Sequence, residues 1–191
     1  MNKNISPIQR VPNAALVDKA FAKLQKMNTN ATTLDNNTLS NVTEWIDTGC
    51  LALNSIISGS LYGGVPKGRL IIFSGESGCG KTFILNKILG NAQKMGIDVV
   101  YFDSESAIDC VFLERVGCCL DEDPPEGMGW FLYTQAHSVE TVLETIEEML
   151  GTNENSMLFV WDSVAQTPCE TDIAGDFNPQ SSMAVKPRIL S

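Results

Sequence analysis

At 191 residues and a formal net charge of −10, the chain has the length of one ordinary domain with an appendage and lacks the overall positive field that grips nucleic acid without a dedicated site. A local basic site, or one shared between subunits, stays open. Apolar residues make up 43%, enough for a real core, yet no apolar stretch approaches the ~20 residues that span a bilayer, and the Met1–Arg10 start carries no apolar segment of the kind a signal peptide needs.

In chain order, Pro12 to Met27 predicts a helix with Ala15, Leu16, Phe21 and Leu24 on one face. Residues 28–44 are rich in Asn and Thr and predict a linker. From Trp45 the core begins. A short helix is expected over Leu51 to Ile57, then a glycine-rich turn through Gly59, Gly63, Gly64, Pro66 and Gly68 into the apolar run Leu70–Phe73, expected as the first core strand. Lys81 to Met95 predicts a helix that Gly96 stops, and Val99–Phe102 a buried strand. A short helix over Asp109–Val116, an acidic loop over Asp121–Gly129 and a strand over Trp130–Thr134 follow. Then come a helix over Ser138–Leu150, with Ser138 as N-cap and Gly151 as stop, and a strand over Met157–Trp161 that ends at Asp162. Strand and helix alternate, which predicts an α/β fold whose sheet is mostly parallel with helices on both faces.

The octapeptide Gly75-Glu76-Ser77-Gly78-Cys79-Gly80-Lys81-Thr82 fits G-x-x-x-x-G-K-[ST] and stands between a predicted strand and a predicted helix. Glycines let such a loop wrap so that several backbone N–H groups point at one anion, and the helix adds the positive end of its dipole. Lys81 has the reach for the β and γ phosphates and Thr82 the hydroxyl for Mg²⁺. The expectation is a nucleoside triphosphate site. Asp162, about 80 residues further on at the end of an apolar strand, fits a carboxylate that supports Mg²⁺, with Ser163 beside it able to sense phosphate. Past the Val99–Phe102 strand, Asp103 and Glu105 both offer a carboxylate to activate water, and the residues alone do not choose between them.

From Trp45 to Ser191 the chain resembles the RecA-type recombinases, including the phage UvsX branch. The resemblance is carried by Ile46-Asp47-Thr48-Gly49 with Leu53-Asn54, by Gly63-Gly64-Val65-Pro66-Lys67-Gly68-Arg69, by Phe102-Asp103-Ser104-Glu105-Ser106-Ala107-Ile108-Asp109, and by Asp162-Ser163-Val164-Ala165 with Thr167-Pro168. It implies a RecA-like P-loop NTPase core over 45–191, with 1–27 as an N-terminal helix that docks on a neighbouring subunit and 28–44 as linker. It puts the catalytic carboxylate on Glu105 beside Lys81, and Asp109 and Phe112 near the adenine. It also makes the Glu170–Met183 stretch a first DNA loop, with Lys186 and Arg188 in basic support of DNA contact. The function so implied is a DNA-dependent ATPase of homologous recombination and repair that binds ATP, Mg²⁺ and single-stranded DNA and assembles as a homo-oligomer or filament. Other readings are a ring helicase or clock-type ATPase of the same superfamily, or a non-catalytic fragment that binds a full-length relative. The family continues past the point matching Ser191, so the expectation is a core incomplete at its C-terminus.

Six cysteines and the single His137 form no C-x-x-C pair or zinc-like spacing, and they predict reduced thiols in a cytoplasmic protein. Cys79, inside the phosphate loop, is the thiol whose oxidation would touch the site.

Overall fold

The computed structural model describes residues 14–29, 31, 41–106 and 108–173, with backbone alone at 14–17 and Thr171. The described chain divides after Asn41 into two units. The first holds helix α1 (Ala14–Met27), whose Leu24 and Met27 are exposed. Pro12 and most of the expected linker lie outside the described residues.

The second unit is built on a parallel sheet. Strands β3 (Asp98–Asp103), β4 (Phe131–Gln135) and β5 (Met157–Asp162) lie in the order β4-β3-β5. Val99 stands opposite Phe131 and Leu158, and Asp103 opposite both Gln135 and Asp162, so the polar strand ends finish level at one edge. Every residue of β3 is buried. Its alternate side chains serve two cores, as the two-residue period of a strand requires. Val99 and Tyr101 join a cluster with Ile88, Leu89 and Ala92 of helix α3 (Lys81–Gln93) and Leu113 and Val116 of helix α4 (Cys110–Val116). Val100 and Phe102 face Val142, Ile146 and Met149 of helix α5 (Val139–Thr152). Helices therefore cover both faces of the sheet, and each fully buried aliphatic side chain contributes about 1.5–3 kcal/mol. Ahead of the sheet, β1 (Trp45–Ile46) and β2 (Val65–Pro66) pair antiparallel around helix α2 (Leu51–Ser58), and α6 (Glu170–Ile173) ends the described chain.

Two polar anchors tie loops to this frame. Gln93, 0% exposed at the end of α3, donates Nε2 to Cys119 O (2.8 Å) and Gly129 O (3.0 Å) and accepts from Cys119 N at Oε1 (3.0 Å). Asn54 of α2 donates to Asp47 Oδ1 (2.7 Å) and Leu61 O (3.1 Å), and its Oδ1 accepts from Thr48 N (3.0 Å) and Thr48 Oγ1 (2.6 Å). The Asn54 amide and the Gly49 N–H hold the Asp47 carboxyl below its usual range.

Two expectations are corrected. Leu70–Phe73 forms no strand: among the described residues it pairs with nothing, and β5 pairs with β3 alone. Phe73 packs on the α3 core, but Leu70 is 78% and Ile72 59% exposed. Apolar character favours burial in a sheet, but a strand also needs its backbone groups paired with a neighbour's, and those of Leu70–Phe73 pair with no described strand. Gly151 does not stop α5 either. The helix runs through it to Thr152 and is capped by Asn153 in an extended conformation (φ −104°, ψ 132°). Gly96 does take the left-handed conformation (φ 74°) just past α3, which is the condition for a glycine stop. At the other end of α5 the Ser138 hydroxyl accepts from Thr141 N (3.0 Å), as an N-cap should.

Candidate functional site

The site collects at the level ends of β3 and β5, facing the start of α3. The loop before α3 turns on Gly78 (φ 75°) and Gly80 (φ 93°), left-handed positions where a side chain is strained. A Cβ on either would meet nothing within 4 Å, so it is the backbone conformation, not crowding, that favours glycine there. The first N–H groups of an α-helix have no partner within it, which makes α3 a ready anion seat. Lys81 folds back over the loop, donating Nζ to Gly75 O (3.0 Å) and Glu76 O (2.9 Å), two contacts that phosphate oxygens can replace. Glu76, Ser77 and Cys79 are exposed on the same loop.

The Thr82 hydroxyl donates to Asp162 Oδ2 at 3.1 Å, so the start of α3 and the end of β5 meet. The same oxygen accepts from the Tyr101 hydroxyl at 3.0 Å. Among the described residues, no group of three or more His, Cys, Asp and Glu side chains stands close enough to hold a metal by itself. One hydroxyl and one carboxylate suit Mg²⁺, which keeps water and takes substrate phosphate oxygens to complete its octahedron.

Glu105 and Asp103 separate by their bonds. Asp103, 4% exposed, accepts from Glu105 N (2.9 Å) and Ser106 N (2.8 Å) at Oδ1, and from the Tyr133 hydroxyl (3.3 Å) at Oδ2. It is an Asx-type clasp on its own turn, which lets Ser106 hold a left-handed φ of 53°. Glu105 is exposed, and among the described residues its Oε1 accepts one long bond, from Ser163 Oγ at 3.4 Å. Ser104 joins the two strand ends: its N–H donates to Asp162 O (3.0 Å), while its hydroxyl accepts from Ser163 N (2.8 Å) and donates to Ser163 O (3.0 Å).

A cavity of about 200 Å³ runs inward from here, lined by Thr82, Glu105, Asp109, Phe112 and Asp162 among others. Asp109 caps α4 by accepting from Phe112 N (3.2 Å), and the Phe112 ring meets Phe83 at 5.9 Å between centroids. Sequence reasoning missed three further lining residues, Asn86, Tyr101 and Ile108. Tyr101 sits in mid-strand and reads as core; Asn86, 3% exposed on α3, leaves its Oδ1 without a hydrogen-bond partner. A polar residue at a position where α3 faces the core was the available signal for Asn86. Lys186, Arg188 and the expected DNA loop beyond Ile173 lie outside the described residues.

Fold and site together define a mixed α/β protein with a three-stranded parallel sheet and a glycine-rich loop leading into a helix at the strand ends. Residues 14–191 match the RecA N-terminal domain, and the chain belongs to that family. It is similar to Protein RecA of Clostridium perfringens (strain 13), with 32% identity over 146 residues covering 76% of this chain and 38% of the relative. Protein RecA of Laribacter hongkongensis is 30% identical over 185 residues, covering 96% of this chain and 47% of the relative. Protein RecA of Colwellia psychrerythraea is 30% identical over 179 residues, covering 93% and 46%. The chain thus spans less than half the length of these curated relatives. No helix among the described residues is long and apolar enough to cross a membrane.

Proposed function

We propose that the chain binds ATP with Mg²⁺ as the nucleotide-binding part of a recombinase of the RecA type, a DNA-dependent ATPase acting in recombination and repair. The observation that carries this reading is the 3.1 Å contact between Thr82 and Asp162, residues 80 positions apart that meet at the start of the helix after the glycine loop. In this reading Gly75 to Thr82 wrap the phosphates with backbone N–H groups, and Lys81 exchanges two loop carbonyls for phosphate oxygens. Thr82 and Asp162 are the residues that would hold Mg²⁺, whose chemistry there is to neutralise charge on the phosphates. Glu105 orients the attacking water and accepts its proton, with Ser163 beside it; Asp109 and Phe112 border the base. Family membership supports single-stranded DNA as partner, with Lys186 and Arg188 contributing to its contact, and assembly of the protein into homo-oligomers or filaments. The exposed apolar residues of α1 suit docking on a neighbouring subunit, with residues 28–44 as linker to the core at 45–191.

ATP hydrolysis with and without single-stranded DNA, with Lys81→Ala as the blank, tests the proposal. DNA-stimulated turnover that vanishes in the variant is the expected result. Nucleotide affinity that is absent, or unchanged by Lys81→Ala, refutes the nucleotide site.

A further inference from the structure

Tyr101 is 3% exposed in the middle of β3, in a row where an apolar ring would pack equally well: Phe131 lies stacked on it, centroids 6.2 Å apart and planes 21° apart. A buried hydroxyl costs stability unless it is bonded. This one is bonded to Asp162 Oδ2 at 3.0 Å, the oxygen that also accepts from Thr82 at 3.1 Å. Two donors on one oxygen restrain the rotation of the carboxylate, and both bonds fall on Oδ2. The two donors differ in kind. The Thr82 hydroxyl belongs to a side chain of the nucleotide loop, whereas the Tyr101 hydroxyl is held by a strand packed on both faces.

We propose that Tyr101 is a positioning residue of the nucleotide site, holding Asp162 in its cation-facing orientation whether or not the Thr82 hydroxyl stays on that carboxylate. The proposal rests on the ATP–Mg²⁺ reading above. The Thr82 hydroxyl can bind a cation through a lone pair while its proton stays on Oδ2, but any rotation of that side chain to meet the cation withdraws the proton. Asp162 would then be free to rotate unless another donor remained, and Tyr101 is that donor. Groups that orient a metal ligand in this way are worth roughly 10–100-fold in metal affinity.

The test is Tyr101→Phe in the full chain, which keeps the ring and its stack on Phe131 and deletes only the hydroxyl. ATP affinity is measured by calorimetry in MgCl₂ and in EDTA. The expected result is unchanged affinity in EDTA, with the Mg²⁺-dependent gain reduced by about tenfold. An Mg²⁺-dependent gain equal to that of the wild type overturns the proposal. So does an equal loss in both conditions, or loss of folding, since each makes Tyr101 a packing residue. A wild-type chain that binds no ATP, or binds it without regard to Mg²⁺, refutes the nucleotide reading itself and the inference with it; wild-type binding with an unaffected variant refutes the inference alone.

Discussion

Replacing Asp103 separates two roles that adjacent carboxylates can confuse. Asp103→Ala removes acceptors for Glu105 N at 2.9 Å, Ser106 N at 2.8 Å and the Tyr133 hydroxyl at 3.3 Å. Hydrogen bonds to a charged acceptor are worth about 1.5–3 kcal/mol each, and stranded donors keep part of their desolvation cost. The third bond is long and the three are not additive, so the expected loss is about 2–4 kcal/mol. For a chain of this size that is a fall in melting temperature of roughly 4–16 °C. Asp103→Asn keeps an oxygen in the same place and should lose less than half as much. Glu105 rides on the clasped turn, so ATP turnover should fall in Asp103→Ala and largely survive in Asp103→Asn. Glu105→Gln should show the opposite pairing, with stability kept and turnover lost. Thermal melts and steady-state turnover on the three variants decide the matter. Asp103→Asn that melts like the wild type yet has no turnover would mean that Asp103 handles the proton, and the clasp argument would be wrong.

Gln93→Leu keeps the volume of a fully buried side chain but strands the Cys119 N–H and two carbonyls, and should cost about 2–4 kcal/mol in urea unfolding; a loss under 1 kcal/mol would show that water replaces the amide. Thiol labelling of the native chain at pH 8 should modify exposed Cys50, Cys79 and Cys110 quickly. Cys118, buried and with its pKa pushed up to about 11 mainly by that burial, and buried Cys169 should react only on unfolding. Mg²⁺ and ATP should protect Cys79 and leave Cys50 reactive; equal labelling of Cys79 with and without nucleotide would count against the loop as the binding site.

What could be read from the chain was mostly local. The Ser138 cap, the left-handed Gly96 and the helix that follows Gly80 each depend on a few neighbouring residues, and each stands where the sequence put it. Gly151 failed as a stop because a glycine ends a helix only when the chain turns left-handed there, and the residues after it continue to Asn153 instead. Leu70–Phe73 failed for a different reason. Its apolar run is a property of the segment, whereas a strand is a property of a pair, and the partner is not written in the segment.

The site divides along the same line. The glycine loop is contiguous, so its candidate residues could be named from spacing alone, and Asp162 could be proposed because apolar strands mark where their ends fall. The choice between Asp103 and Glu105 needed geometry, although Asp-Ser-Glu-Ser does carry a turn signal: an aspartate that bonds the backbone two and three residues ahead is spent on the turn, and the next carboxylate is the one presented. Tyr101 was hidden entirely. Within the apolar run of β3 it reads as one more core residue, and its partner, Asp162, lies 61 positions away. The parallel register brings Asp103 opposite Asp162 at the level strand ends. The phenol, two residues back from Asp103, spans the remaining distance along the strand. A tyrosine where an apolar side chain would pack as well therefore gains its meaning from the register of the sheet, and the Mg²⁺ dependence of ATP binding in Tyr101→Phe measures whether that meaning is functional.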